Sequence, residues 1–304
     1  MKNTFFLYTP FSGLGMYGGF RGNRWLRNRI KIFKQFVIPS LLNQSDRDFV
    51  HWISWRPQEE NNPLVKELHS YLSTIPNYKF VFTYHGIAFW DDKLPDEEAR
   101  QKLLLSLHMT LPTLLDYAIG SETISMLLVP SDDLYTKDAI KTMKAELKGD
   151  VQAVTYTKGY LCNYYTKELL EYNPQTNPPF FCINFPRETF FDSILHMKYT
   201  GPYKSHEYIG NELKLKKLEG RGFLVGTHGE NISTHFNNPY GGAKISDETA
   251  KVLYNFGIAD VPLLKLPKSL KKWALRRLPH KYQRKLRYIF GEKIFNRFYN
   301  FLRS

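Results

Sequence analysis

The sequence predicts an α/β protein with a mostly parallel mixed sheet between helices. Three observations predict it. Short, almost unbroken apolar runs recur through the first half, as in strands buried on both faces. Stretches of helical periodicity separate them, giving the strand–helix–strand order of βαβ units. The chain has 304 residues, 42% hydrophobic and 15% aromatic, enough for one large core.

Taken in order, Phe5–Thr9, Phe49–Trp55, Lys79–Tyr84 and Met126–Val129 read as strands. The helical stretches between them are Arg24–Leu42, Pro63–Leu72 and Pro95–Ile119. Further on, Thr136–Leu147 reads as a helix. Val151–Tyr156 and Tyr160–Tyr165 read as a strand pair turning at Lys158–Gly159. Residues 173–180, with three prolines, form a loop, and Leu224–Thr227 is a further strand. Residues 1–262 are expected to be the catalytic body and 263–304 a basic, amphipathic helical tail, joined across Pro262 and Pro267. No internal repeat or low-complexity segment interrupts this order.

Composition excludes several classes. Aromatic and aliphatic residues run through the whole length, unlike a disordered chain. Cys162 and Cys182 are too few for a disulfide framework or a four-cysteine zinc site and read as reduced core thiols of a cytosolic protein. Met1–Pro10 lacks the length and cleavage pattern of a signal peptide and no apolar run reaches bilayer length, so neither leader nor membrane span is expected. The net charge is +13, yet residues 268–304 carry twelve Lys or Arg against the single Glu292, leaving only +2 for the rest.

Ligands of parallel α/β sheets collect at the carboxyl ends of the strands, so the residues just after each apolar run are the candidates. Asp132 and Asp133 follow the fourth run. Adjacent carboxylates suit a hard cation such as Mg²⁺ or Mn²⁺, with a substrate diphosphate completing the shell; equally, they suit the start of the following helix. His228, in the glycine-flanked stretch 220–233, is a candidate metal ligand or diphosphate contact, or a structural histidine. Glu207 and His206 stand in a loop where a carboxylate can take the proton of an acceptor hydroxyl, or simply be solvated. The arginines from Arg21 to Arg29 can grip phosphates through forked hydrogen bonds or form a solvated helix face.

The order of these segments resembles the rhamnosyltransferase family, a branch of the A-type glycosyltransferase fold related to the large inverting family-two enzymes. The segments are residues 29–44 with their Pro-Ser-Leu-x-x-Gln end, Asp48–Trp52, Ser131-Asp-Asp133 and the His-Gly-Glu-Asn-Ile-Ser stretch, so that the likeness spans roughly residues 3–235. The resemblance implies a nucleotide-diphospho-sugar transferase with a divalent cation. It aligns Asp132 and Asp133 with the end of an Asp-Ser-Asp-Asp metal turn whose first acid is here Pro130, so Asp133 is the expected direct ligand and His228 a late metal or diphosphate contact. Thr9, Ser54, Arg56, Arg29 and Asp132 are the expected nucleotide-sugar contacts, and Glu207 the expected base, with His206 beside it.

In the tail, Leu270, Trp273, Ala274 and Leu278 share one helical face opposite Lys271, Lys272, Arg276 and Arg277. Such a face suits an anionic membrane interface, each basic residue contributing up to about 1 kcal/mol; it can also pack on the body or bind nucleic acid. The expectation is a cytoplasmic enzyme, peripheral at the inner membrane face, taking a nucleotide-sugar donor and a glycan or lipid-linked acceptor. A nucleic-acid binder should spread its charge over the folded body, and this body is nearly neutral, so nucleic acid is not expected. The alternatives are that binder, acting through the tail, and another metal-dependent phosphotransferase.

Overall fold

A computed structural model of the chain describes residues 2–12, 23–87, 96–199, 209–228, 231, 234, 236 and 241–265. Four strands of the first half form a parallel block: β1 (Asn3–Pro10), β2 (Val50–Ser54), β3 (Phe80–Thr83) and β4 (Thr123–Leu128) lie in the order β3-β2-β1-β4. Side chains of β1 alternate between the two faces: Phe5 and Leu7 enter one core, Phe6 and Tyr8 the other. This two-sided burial is why the apolar runs are continuous, and the expected α/β architecture is what the chain adopts.

The first core is covered by the helical run from residue 23 to 42, by α3 (Pro63–Ser73), α5 (Ala139–Glu146) and α9 (Thr249–Asn255). The second lies under α4 (Asp96–Thr110), α6 (Arg187–Phe191), α7 (Ser193–Tyr199) and α8 (Ile209–Glu212). The helix expected over 24–42 is continuous but not uniform. It runs as α1 (Asn23–Ile32), a π turn (Phe33–Val37) and α2 (Ile38–Leu42). Pro39 has no N–H, and in a regular α-helix its ring presses on the carbonyl four residues back; that residue, Gln35, lies in the wider π turn. Likewise the stretch 95–119 changes to a 3-10 helix at Leu111, where Pro112 stands in the first turn.

The second half of the sheet is built from β5 (Leu134–Tyr135), β6 (Ala153–Asn163), β7 (Leu169–Tyr172), β8 (Phe181–Pro186), β9 (Leu215–Thr227) and β10 (Gly241–Ile245). Strand β8 joins the block antiparallel to β4, and β6 follows it, paired with β7 and also, in parallel, with β9. The hairpin expected at Lys158–Gly159 is absent: β6 passes straight through. Gly159 serves close approach instead of turning, since a Cβ there would lie 2.4 Å from the Phe223 ring of β9. Cys162 and Cys182 are buried free thiols, and burial pushes Cys162 up to about 12, which leaves it unreactive.

Candidate functional site

In the parallel block the chain moves outward from β1 through β2 to β3, then returns to place β4 on the other flank of β1. The reversal falls between β1 and β4, and the carboxyl ends of strands at such a switch point are where open α/β sheets bind ligands. Residues 129–133 cross this point. Val129 N–H donates to the Tyr8 carbonyl at 2.8 Å, and the Thr9 hydroxyl donates to the Val129 carbonyl at 2.8 Å. A turn from Pro130 then brings Asp132 and Asp133 inward, both largely buried.

Four of the sequence-derived candidates meet here. The Arg29 guanidinium, from α1, ion-pairs with Asp132 Oδ2. His228, just past β9, donates from Nε2 to the same oxygen at 2.9 Å, and the Asn231 amide contacts it at 3.3 Å. Asp133 Oδ1 accepts from the Gly226 backbone N–H at 3.0 Å. Burial pushes the Asp132 carboxyl up, but the adjacent Arg29 charge and the His228 hydrogen bond outweigh it and hold it below the usual carboxylate range. Asp133 goes the other way: burial first, then the Asp132 charge, raise it well above that range. The two adjacent acids thus carry unlike electrostatic roles.

The first long helical run braces this turn from one side. Phe36 stacks on Tyr164 with centroids 3.9 Å apart, and the Tyr164 hydroxyl donates to the Asp132 carbonyl at 2.8 Å. Beyond the turn, Ser40 Oγ donates to the Tyr135 carbonyl at 3.0 Å and the Gln44 amide to the Thr136 carbonyl at 2.8 Å. This gives the Pro-Ser-Leu-x-x-Gln segment its local role: it fixes the backbone that follows the acidic pair.

The other candidates sit differently. Thr9 is buried and engaged within the fold: its hydroxyl also accepts from His51 Nε2 at 2.8 Å, while His51 Nδ1 accepts from the Tyr78 hydroxyl. Burial lowers His51 to about 3, so the ring is neutral. Ser54, at the end of β2, is buried with a hydroxyl that has no hydrogen-bond partner. Arg56 joins a buckle across the ends of β1 and β2. Its guanidinium pairs with Glu59 at 2.8 Å, and Glu59 Oε2 accepts from Ser12 Oγ at 2.6 Å and from the Arg56 N–H at 3.0 Å. Glu207 and His206 lie outside the described residues, as does the tail from 266 on.

Sequence reasoning missed Ser12, Glu59, Tyr164, Gly226 and Asn231. Asn231 and Gly226 lay inside the glycine-flanked segment already singled out, whereas Ser12, Glu59 and Tyr164 carry no local signal. For a divalent cation, the described residues contain no cluster of three or more His, Cys, Asp or Glu arranged as a cage. His228 is buried, its Nε2 is tied to a carboxylate, and its Nδ1 has no hydrogen-bond partner, the arrangement in which a carboxylate orients a metal-binding imidazole. The residues expected to hold Mg²⁺ or Mn²⁺, Asp133 and His228, are each engaged within the fold, Asp133 by the Gly226 N–H and His228 by Asp132.

No known family profile matches the chain, and no curated protein matches it in sequence. Among solved structures it is similar to TarS of S. aureus, at 12% identity and a TM-score of 0.33, over 90% of this chain and 47% of that one. It thus spans about half the length of TarS. It is also similar to the inositol-1-phosphate CTP transferase of T. maritima, at 11% identity and a TM-score of 0.35, over 83% of this chain and 95% of that one. No helix among the described residues is long and apolar enough to cross a membrane.

Proposed function

We propose that this chain is a nucleotide-sugar-dependent glycosyltransferase that moves a hexosyl or deoxyhexosyl unit, rhamnosyl among them, onto an acceptor hydroxyl. The observation that carries the reading is the acidic turn at the carboxyl ends of β1 and β4, with Asp133 and an oriented, half-satisfied His228 beside it. A bound Mg²⁺ or Mn²⁺ supplies neutralisation of the charge that develops on a leaving nucleoside diphosphate. Asp133 and His228 hold that cation, and Asp132 fixes the His228 ring. The nucleotide is assigned to the ends of β1 and β2, where the unspent Ser54 hydroxyl and the Arg56 buckle stand.

On this reading Glu207 takes the proton of the acceptor hydroxyl, with His206 beside it, and transfer inverts the anomeric centre. The basic amphipathic tail brings the enzyme to an anionic membrane at its cytoplasmic face. There the acceptor is a glycan or lipid-linked intermediate of cell-surface polysaccharide or glycolipid synthesis. A panel of nucleoside diphosphates with and without Mn²⁺ tests the donor assignment by melting temperature, followed by sugar transfer from the matching nucleotide sugar. Absence of any nucleotide-dependent stabilisation across the panel sinks the reading. Sedimentation of the full chain with anionic but not neutral vesicles tests the tail.

A further inference from the structure

The layer that covers the second core leaves an apolar face open. Of nine large hydrophobic side chains exposed among the described residues, seven stand on α4, on the 3-10 helix and residue 119 that follow it, or on α7. Leu105 is 63% exposed, Ile119 67% and Ile194 61%. Helices α4 and α7 pack on each other, and Leu105 and Met109, four residues apart, share one stripe of α4. Apolar surface gathered in this way marks an interaction site. Its charge is acidic: residues 96–122 hold five Asp or Glu against Arg100 and Lys102. Three residues past Ile119, Glu122 enters the lining of an open cleft of about 500 Å³, which Asp150, Glu188 and Lys214 share. Asp150 already pairs with Lys214 at 2.8 Å, whereas Glu122 and Glu188 have no ion-pair partner among the described residues.

We propose that the C-terminal segment 266–304 docks on this α4–α7 layer of its own chain, its apolar face against Leu105, Met109 and Ile194 and its cations among the acids. Complementarity picks the occupant. The segment carries twelve Lys or Arg against the single Glu292, and Phe290, Ile294, Phe298 and Leu302 recur in it at every fourth position. An apolar layer with an acidic surround fits such a segment and repels an anionic bilayer. The reach is sufficient. The described residues end at 265 on the first-core side, where the Leu264 N–H donates to the Tyr164 carbonyl at 2.8 Å. As a helix, the 39 residues beyond extend about 58 Å, more than the diameter of about 47 Å expected of a body this size. The docked face of the segment is the one assigned above to a membrane. Docking therefore holds the tail off a bilayer until an anionic surface displaces the body from it, a regulation that rests on that reading.

The test uses the full chain. A spin label on His280→Cys, within the segment, should broaden the methyl signal of Met109 and spare that of Met143, which lies in the first core on the other side of the sheet. Cys162 and Cys182 are buried and stay unlabelled. A Met109 signal as sharp as in the reduced, diamagnetic sample overturns the proposal. Mixing spin-labelled chain at natural abundance with methyl-labelled chain lacking the new cysteine should leave Met109 sharp; broadening there makes the occupant a second copy and also overturns it. Leu105→Lys with Ile194→Lys alters two exposed side chains, so the fold should hold. That variant should restore the Met109 signal and lower the amount of anionic vesicle needed for half sedimentation. Broadening that persists in it overturns the docking. Anionic vesicles added to the spin-labelled chain should restore the signal too, and vesicle binding with Met109 still broadened refutes the displacement. If no vesicle binds while Met109 is broadened, the membrane reading fails and the docking stands.

Discussion

Replacing Gly226 by alanine should unfold the candidate site from within, and the size of the effect follows from one contact. A Cβ on Gly226 would lie 2.2 Å from Tyr164 Cζ and 2.4 Å from its hydroxyl oxygen. Tyr164 has little room to retreat: it is fully buried, stacked on Phe36 at an interplanar angle of 3°, and hydrogen-bonded to the Asp132 carbonyl. Overpacking of this kind costs about 1–3 kcal/mol, and losing the Tyr164–Asp132 hydrogen bond adds about 0.5–1.5 kcal/mol. A loss of roughly 2–4 kcal/mol is expected in urea unfolding, or roughly 4–16 °C in melting temperature. The companion variant Tyr164→Leu opens space over residue 226, so the double variant should be more stable than the sum of the two single losses implies. Wild-type stability in Gly226→Ala, or losses that add within ~0.5 kcal/mol, would refute the argument.

Gly159→Ala should cost about 1–3 kcal/mol, because its Cβ meets the Phe223 ring and backbone, whereas Lys158→Ala, at an exposed position, should change the urea midpoint little. If both are neutral, the straight path of β6 is wrong. Burial lowers His196 from 6.5 to about 4 while its Nδ1 contacts the Phe190 carbonyl. Below pH 6.5 the unfolded chain therefore takes a proton that the folded one refuses, and this contribution is full above that pH and lost as pH falls. Relative to His196→Gln, wild-type unfolding free energy should drop by about 1.4 kcal/mol per pH unit between roughly pH 6 and 4.5; parallel pH profiles would count against it. Asp133→Asn keeps an oxygen for the Gly226 N–H and removes a charge that burial and Asp132 both oppose. Since a raised folded pKa weakens the fold above it, the variant should melt at or above the wild-type temperature at pH 7 and lose Mn²⁺-dependent stabilisation by nucleoside diphosphate. A lower melting temperature with Mn²⁺ dependence intact contradicts the assignment.

The parallel half of the fold was legible because strands such as β1 and β2 bury both faces and read as solid apolar runs. The second half was legible only in part: the runs read at 151–165 and 224–227 fall on β6 and the end of β9, whereas β7, β8 and β10 went unread. Strand β7 buries only Leu169 of its four residues and β8 mixes buried and half-buried residues over six positions without a strict period, so no pattern stands out. The Lys-Gly pair in β6 mimicked a turn because glycine serves both bending and close approach. At the site, Asp132, Asp133 and His228 were visible from their places after strands. The pairing of Arg29 with Asp132 was not, because nothing local marks an ion pair between distant segments. Glu59 and Ser12 were hidden for the same reason: a buried acid and hydroxyl look in sequence like any loop residues.

The partners of the acidic turn have a consequence for the time at which the site comes into being. His228 lies 96 residues beyond Asp132, a stretch that takes about 5–20 s to synthesise. Arg29 and the aspartates can meet on the ribosome well before β9 exists, with Gly226 and His228 still to come. Until then Asp133 lacks its backbone donor and the β6 edge lies uncovered. A nascent chain halted short of β9 would hold a folded parallel half without the completed acidic-turn cluster, so β9 is the strand that closes the candidate site.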